Sequence, residues 1–252
     1  MKIAVATPRC GPPSWKFHDS MNHWCIQYAL NHPDTGILLL HPERILPIDV
    51  ARNLLVRHFL QTDADYMWCL DQDAVFLPGT LDRLLSRKLP VVSALEMMRL
   101  PGICYPMALK GQHENGYRIQ ATEIYAWIAK HLDSMTNDAQ ILDEILPDSL
   151  LEVGFTGCHC LLIRRDVLEE MEEPWFQGYQ PGGEDQWFCE RAFAMGIPTY
   201  VDMTVLVGHA VTDRTIGALD FMAGQWFMES KAQAEEAEEL AKMQEWTGGT
   251  HV

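Results

Sequence analysis

Short apolar runs alternate with segments of helical periodicity along most of the chain. The apolar runs have the length of strands and lie at residues 2–6, 36–40, 66–70, 90–95, 151–154, 159–163 and 198–207. Segments of helical pattern lie between them, at residues 22–29, 48–60, 79–86, 166–171 and 184–195. Asp49 is a candidate N-terminal cap, and Gly196 suits the left-handed position that ends a helix. The alternation predicts an α/β fold, with a mainly parallel sheet flanked by helices.

Two segments depart from this alternation. Residues 101–147 have mixed polarity, and we interpret them as a variable insertion or an acceptor-side region, with short helices at 122–132 and 138–146. After residue 216, apolar residues at helical spacing precede an acidic run at 229–245. We therefore expect a main domain at residues 1–215 and a C-terminal helical tail at 216–252, which packs on the domain or forms a homo-oligomer with a second copy.

Composition and charge narrow the choice of partners. The 252 residues are 48% hydrophobic, enough for a large core, and the formal net charge is -16. That charge argues against a broad surface for nucleic acid or anionic lipid. No stretch approaches the roughly 18 to 20 apolar residues that span a bilayer, and residues 1–8 look like a first strand rather than a signal peptide. We expect a cytoplasmic protein without a transmembrane segment.

The seven cysteines include no CxxC pair, which agrees with a reducing compartment. Cys158, His159 and Cys160 are consecutive, and neighbours on an extended chain point to opposite faces. We therefore interpret this triplet as core packing rather than as a zinc site.

Polar groups with metal or acid-base chemistry follow several of the predicted strands. Asp71 and Asp73 come directly after the apolar run at 66–70, and their side chains would point to the same side of an extended backbone. Two carboxylates this close need solvent, a shared proton or a cation. Ligands of open α/β sheets bind beyond the carboxyl ends of the strands, where the other candidates are Thr7, Glu184, Asp185 and His209. Two carboxylates and one imidazole suit Mn²⁺ or Mg²⁺ and favour Mn²⁺.

Several motifs in a fixed order resemble those of the GT-A-fold glycosyltransferases, in particular the bacterial and viral members related to family 2. The resemblance covers about residues 1–209, excluding much of 101–147. Its motifs are IAVATPRCG, VARNLLVRHFLQTDADYMWCLDQDAVFLPGTLDRLL, PVVSAL, VGFTGCHCLLIRRDVLEEM with EEPWF, and GGEDQWFCERAFAMGIPTYVDMTVLVGH. A DxD motif alone is weak, but the ordered set is much stronger. The implied architecture is a GT-A, Rossmann-like sheet.

The resemblance also implies a role for individual residues. Asp71 and Asp73, around Gln72, would form the DxD motif that holds the metal on the donor diphosphate, with His209 as the third protein ligand. The nucleotide-binding residues would be Thr7, Pro8, Arg9, Arg52, Asn53, Asp71, Gln72 and Gly157. Asp185 would be the general base of an inverting transfer, with Glu184 as the second candidate. The donor would be a UDP-sugar, or else a GDP-sugar, and the acceptor a carbohydrate or another hydroxyl compound.

Other interpretations of these residues stay open. Trp175 and Phe176 could stack on a sugar or lie in the core. Arg164 and Arg165 could contact phosphate or form a surface pair. A metal-dependent nucleotidyltransferase could use the same acidic pair, and a non-catalytic sugar-nucleotide or carbohydrate binder could share the fold.

Overall fold

The computed structural model describes residues 1–9, 11–41, 47–100, 103–110, 117–118, 149–178, 183–211 and 214–216. The strands are β1 Lys2–Ala6, β2 Gly36–Leu40, β3 Tyr66–Leu70, β4 Ala74–Val75, β5 Val91–Leu100, β6 Ile103–Pro106, β7 Ala108–Lys110, β8 Tyr117–Arg118, β9 Leu150–Val153, β10 Phe155–Thr156, β11 Cys160–Arg164, β12 Thr199–Val211 and β13 Arg214–Ile216. The helices are α1 Trp15–Asn31, α2 Ile48–Leu60, α3 Thr80–Ser86, α4 Arg165–Glu170 and α5 Glu184–Ala194.

The central sheet has the strand order β13-β12-β5-β11-β3-β1-β2. Strands β2, β1, β3, β5 and β12 run in one direction, whereas β11 and β13 run in the other. The short strands β4 and β9 pair with β12, and β6 pairs with β5. A second small sheet has the order β10-β7-β8. The predicted α/β class, with a mainly parallel sheet between helices, is confirmed.

Each face of the sheet carries one apolar core, because successive strand residues point to opposite faces. In β1, Ile3 and Val5 pack in the core that contains Trp24 of α1, and this core also holds residues of α3. Ala4 and Ala6 face the opposite core, which contains Phe59 and other residues of α2, α4 and α5. The sheet is thus covered on both sides, which explains why its strands are continuous apolar runs.

Helix α1 is longer than the predicted segment 22–29. It begins at Trp15, because the side chain of Ser14 accepts a hydrogen bond of 3.2 Å from the backbone N–H of Lys16 and caps the helix. Its buried residues Phe17, Ser20, Trp24 and Tyr28 recur every three or four positions. The polar residues between them hid the first two turns from the sequence pattern.

The ends of α2 and α5 test two further predictions. Asp49 was expected to cap α2, but Pro47 holds that position in extended backbone, so Asp49 lies in the first helical turn. The prediction was wrong, since the helix begins at Ile48, one residue before Asp49. Gly196 follows α5 with φ of +73°, a left-handed backbone that favours glycine, so its predicted role is confirmed.

Most of the two unusual segments lies outside the described residues. Within 101–147 the structure describes β6, β7 and β8, whereas the predicted helices at 122–132 and 138–146 lie outside it. The predicted C-terminal tail is likewise outside, apart from Ile216, which ends β13. In the part of the chain that is described, no helix is long and apolar enough to cross a membrane.

Candidate active site

The acidic loop after β3 is held at both ends by backbone hydrogen bonds. The N–H of Asp71 donates to the carbonyl of His159 over 3.1 Å, and the N–H of Ala74 donates back to the carbonyl of Asp71 over 3.0 Å. The N–H of Ala210 donates to the carbonyl of Asp73 over 2.8 Å. The loop therefore lies between the start of β11 and the C-terminal end of β12, and its backbone is held by both strands.

The antiparallel direction of β11 brings His159 to this loop. Cys160 pairs with Leu70 at the end of β3, so the residue before β11 lies beside the acidic loop. The Nδ1 atom of His159 is 3.6 Å from Oδ2 of Asp71 and 3.7 Å from Oδ1 of Asp73. Sequence reasoning placed His159 in the core with its two neighbours. Its ring is indeed buried, but it faces the carboxylates.

His209 reaches the same place from β12. Its ring stacks on that of His159, with the ring centroids 3.5 Å apart. The Nδ1 atom of His209 is 2.8 Å from the carbonyl oxygen of Met97, and Nε2 of His159 is 3.2 Å from that of Gly208. Because a carbonyl oxygen only accepts hydrogen bonds, these two nitrogens carry the protons. Nε2 of His209 and Nδ1 of His159 are then the ring nitrogens that could coordinate a metal ion.

Asp73, His159 and His209 form a group that could hold a metal ion. One ligand atom from each lies within 4.8 Å of the others. Nδ1 of His159 is buried and has no hydrogen-bond partner among the described residues, although it faces a carboxylate. A cation between these atoms would satisfy both, and backbone carbonyls already orient both imidazoles as they do at metal centres. The donor set therefore fits a divalent cation, with His159 as a member that sequence reasoning missed.

Asp71 makes a different interaction. Its Oδ1 accepts a hydrogen bond of 2.9 Å from Nη2 of Arg52, and Nε of Arg52 donates over 2.9 Å to Oε1 of Glu184. The Arg52 side chain is 4% exposed. Burial alone would raise the pKa of Asp71, but Arg52, His159 and His209 together hold it well below its usual value. Asp71 therefore stays ionised, and α2, β3 and α5 are joined through one guanidinium.

His159 is also perturbed by its surroundings. Burial would lower the pKa of its imidazole, but Asp71, Glu96 and Asp73 raise it to about 9. Without a cation, the ring would carry a second proton at neutral pH and pair with the carboxylates. A bound cation and this proton would occupy the same nitrogen, so they must compete.

Asp185 carries a partly buried carboxyl group with a raised pKa. It lies in the first turn of α5, where its Oδ1 accepts a hydrogen bond of 2.8 Å from the N–H of Gln186. Burial raises its pKa, the neighbouring Glu184 raises it further, and Arg52 partly opposes them, so the pKa is about 6. The carboxylate is therefore ionised at neutral pH but more basic than an ordinary aspartate.

One cleft joins these groups. It has a volume of about 230 Å³, below the range of 300 to 1,000 Å³ of drug-sized ligand sites. Its described lining residues are Ile48, Arg52, Asp71, Glu96, Met107, Gly157, Cys158, His159, Glu184, Asp185 and His209. The structure thus brings together six residues of the predicted site: Arg52, Asp71, Gly157, Glu184, Asp185 and His209.

The predicted nucleotide residues Thr7, Pro8 and Arg9 follow β1 and are not among the described residues that line the cleft. Thr7 continues β1, and its N–H donates to the carbonyl of Leu40 over 2.9 Å. Pro8 is buried next to it, and Nε of Arg9 is buried without a hydrogen-bond partner among the described residues. The carbonyl of Gln72 accepts a hydrogen bond of 3.0 Å from the N–H of Ser14, so the loop after β1 contacts the acidic loop.

Asn53 has a structural role. Its side-chain nitrogen donates to the carbonyl oxygens of Asp49 and Phe176, over 2.8 and 2.6 Å, and its oxygen accepts from the N–H of Phe176. The amide therefore ties the segment after α4 to α2, and its predicted contact with a nucleotide gains no support from this placement.

The structure also shows the surroundings of the four residues whose interpretation was left open. Trp175 and Phe176 are buried in the apolar core, and Phe176 stacks on Phe188, so they are core residues. Arg164 pairs with Asp166, and Arg165 donates to three backbone carbonyls. Because β11 is antiparallel, both arginines lie at the opposite edge of the sheet from Asp71, which argues against a phosphate contact in this cleft.

The cleft floor contains Glu96 of β5, which sequence reasoning missed. The residue is 2% exposed. Burial raises its pKa, His159 lowers it, and Asp71 and Asp185 raise it, to about 8. A single acidic residue inside an apolar strand was the available signal, since a buried carboxyl group is costly unless it has a function or a partner.

No protein-family model and no curated protein sequence matches the chain. Among solved structures, the chain is similar to A197 from STIV, with a TM-score of 0.57 and 16% identity over 86% of this chain and 91% of that chain. It is also similar to GalNAc-T7, whose structure contains UDP, GalNAc and Mn²⁺, with a TM-score of 0.49 and 10% identity over 83% of this chain and 44% of that chain. The likeness to A197 shows a shared fold, and at this identity it shows nothing about activity.

Proposed function

We propose that this protein is a metal-dependent glycosyltransferase, which moves a sugar from a nucleoside-diphosphate sugar to an acceptor hydroxyl group. A UDP-sugar is the favoured donor, with a GDP-sugar second, and the acceptor is a carbohydrate or another hydroxyl compound. The observation that carries the proposal is the meeting of two chemical functions: His159 and His209 of the metal group line the same cleft as the basic carboxylate of Asp185.

Asp73, His159 and His209 would hold the cation. Mn²⁺ is favoured over Mg²⁺, because two imidazoles and one carboxylate suit a transition metal better than a strictly oxygen-preferring ion. When bound, the cation supplies positive charge that stabilises the departing diphosphate. Asp71 stays a predicted ligand, and in this proposal Arg52 holds it beside the metal group.

Asp185 would remove the proton from the acceptor hydroxyl as the new bond forms, which gives an inverting transfer. A general base works best when its pKa is near the working pH, and the raised pKa of Asp185, about 6, meets this condition. Glu184 is the weaker candidate, since its carboxylate forms an ion pair of 2.9 Å with the buried guanidinium of Arg52.

The nucleotide would lie along the loop after β1. The hydrogen bond from the N–H of Ser14 to the carbonyl of Gln72 holds this loop against the acidic loop that carries Asp73 of the metal group. Arg9 supports a phosphate or diphosphate ligand here, because its buried Nε lacks a hydrogen-bond partner among the described residues.

A thermal-shift titration tests the donor class. Purified protein is titrated with UDP-, GDP-, CDP- and dTDP-sugars, each with and without Mn²⁺, in wild type, Asp73→Ala and the control Asp63→Ala. Asp63 is an exposed aspartate before β3, at the other edge of the sheet. We expect one nucleotide sugar to raise Tm only with Mn²⁺, in wild type and Asp63→Ala but not in Asp73→Ala.

Other outcomes would replace the proposal. Stabilisation by nucleoside triphosphates with pyrophosphate release would indicate a nucleotidyltransferase. Stabilisation by a nucleotide sugar that the protein never cleaves, unchanged in Asp185→Asn, would indicate a binding protein. The absence of a shift with every nucleotide sugar would contradict the proposed donor class.

A further inference from the structure

The carboxyl group of Glu96 is buried at the cleft, and none of the described residues forms a hydrogen bond with it. Both of its oxygens are shielded from solvent, and neither has a hydrogen-bond partner among the described residues. Glu96 lines the cleft that also contains Asp185 and His209. Buried polar groups are nearly always hydrogen-bonded, so an unsatisfied one beside a cleft points to a ligand that completes it.

Gly157 fits against this carboxyl group. A Cβ atom at this position would lie 2.1 Å from Oε1 of Glu96, closer than real side-chain atoms come. The backbone of Gly157 itself is held by a hydrogen bond of 3.3 Å from its N–H to the carbonyl of Met107. Glycine at this position therefore allows Glu96 to remain at the cleft, and any other residue would displace it.

Arg52 contributes a second unsatisfied group to the same cleft. Nη2 and Nε of its guanidinium bind Asp71 and Glu184, but Nη1 is buried without a hydrogen-bond partner among the described residues. Among the described residues, the cleft is therefore lined by one side chain with a spare donor and by a carboxyl group with two unsatisfied oxygens, both of which accept hydrogen bonds when the group is ionised. A hydroxyl group both donates and accepts hydrogen bonds, so it is the simplest ligand group that satisfies both.

We propose that Glu96, together with Nη1 of Arg52, binds hydroxyl groups of the transferred sugar. This inference rests on the proposed function and deepens it, because it assigns the sugar-recognition part of the same cleft. In its ionised form, Glu96 accepts from one or two sugar hydroxyls, and Nη1 of Arg52 donates to a sugar oxygen. A cleft of about 230 Å³ is suited to one small polar unit rather than to the whole donor.

Paired binding measurements separate sugar recognition from nucleotide binding. The probe is the nucleotide sugar that raises Tm most in the titration described above. Calorimetry compares its binding with that of the free nucleoside diphosphate, both in the presence of Mn²⁺. Glu96→Gln preserves the shape of the side chain, Glu96→Ala removes it, and Glu170→Gln is the control at an exposed glutamate of α4. At about pH 8.5, where most of the Glu96 carboxyl groups are ionised, we expect Glu96→Gln to weaken nucleotide-sugar binding by about tenfold or more, and nucleoside-diphosphate binding by less than twofold.

Analogues that each lack one sugar hydroxyl identify the group that is read. Wild type should bind one of these analogues about tenfold more weakly than the parent nucleotide sugar. Glu96→Gln should bind that analogue and the parent nucleotide sugar with equal affinity. If Glu96→Ala does not fold, Glu96→Gln still decides the question.

Two results would overturn the inference and can be told apart. Equal weakening of nucleotide sugar and nucleoside diphosphate, or no weakening of either, would leave the proposed function in place and assign Glu96 a structural role. Failure of wild type to bind any nucleotide sugar would remove the proposed function itself, and this inference with it.

Discussion

Replacing Arg52 with methionine should destabilise the protein and disorder the acidic loop. The guanidinium is 4% exposed and makes hydrogen bonds of 2.9 Å to both Asp71 and Glu184. Methionine fills a similar volume but leaves two carboxylates without their counterion. Removing one partner of a buried ion pair typically costs about 3–5 kcal/mol.

The expected cost lies near the lower end of that range. The side chains of Asp71 and Glu184 remain 22% and 15% exposed, so water partly replaces the lost contacts. We expect about 3 kcal/mol, which corresponds to a fall in Tm of roughly 6–12 °C for a domain of this size. The pKa of Asp71 is depressed in the folded state, so the stabilisation is present above the unfolded pKa of about 4 and is lost as the pH falls through the folded value.

Thermal unfolding of wild type, Arg52→Met and Arg52→Lys at several pH values tests this expectation. Arg57→Met is a matched control, because Arg57 lies on the same helix in an exposed pair with Glu173 and should leave Tm unchanged. The Tm difference for Arg52→Met should be constant above pH 5 and shrink below pH 4. Arg52→Lys should be intermediate, since an ammonium cannot span both carboxylates. A Tm change below about 2 °C at pH 7 would refute the reasoning.

Three further predictions concern the same cleft. Gly157→Ala should destabilise the fold by about 1–3 kcal/mol, because its Cβ would meet Oε1 of Glu96, and this cost, measured by urea unfolding, should fall in a Glu96→Ala background. Asp185→Asn should lower turnover by about 10² to 10⁴ while keeping donor affinity, and wild-type turnover should decline below pH 6. Because the pKa of Asp185 is raised in the folded state, ionisation of this group lowers the stability of the fold. Asp185→Asn should therefore raise Tm relative to wild type at pH 8 but not at pH 4. An unchanged Tm at pH 8 would count against the raised pKa. Mn²⁺ binding near pH 7.5 should release close to one proton, because the pKa of His159 is about 9. Calorimetry in buffers of different ionisation enthalpy measures this proton release. A release of zero would argue against His159 as a ligand.

The sequence was sufficient to predict the order of the longer strands and of the described helices, but not the short strands β4, β6, β7, β8, β10 and β13. The bounds of β1, β2, β3 and α2 agree with the predicted ones, because buried strands and an amphipathic helix produce clear local patterns between polar breaks. The start of α1 was missed, since several polar residues separate its buried ones. Sheet order and strand direction are set by contacts between distant segments, which the local pattern does not contain.

The site was only partly predictable for the same reason. Asp73 and His209 could be proposed from strand ends and motif order, and the structure places them together. His159 could not be placed, because its approach depends on the antiparallel direction of β11. The partner of Asp71 is Arg52, 19 positions away, and Glu96 acquires its significance through its contact with Gly157. These relationships exist only once the sheet has assembled.

The most direct test of the proposed glycosyl transfer is the release of nucleoside diphosphate from the stabilising nucleotide sugar. The measurement compares wild type, Asp73→Ala and Asp185→Asn, with Mn²⁺ or with EDTA, with water or simple saccharides as acceptors. We predict Mn²⁺-dependent release by wild type, loss of both binding and release in Asp73→Ala, and retained binding with at least a hundredfold slower release in Asp185→Asn. The proposed glycosyl transfer would be contradicted by release that is unaffected by EDTA and by both substitutions. It would also be contradicted by the absence of release from a nucleotide sugar that binds.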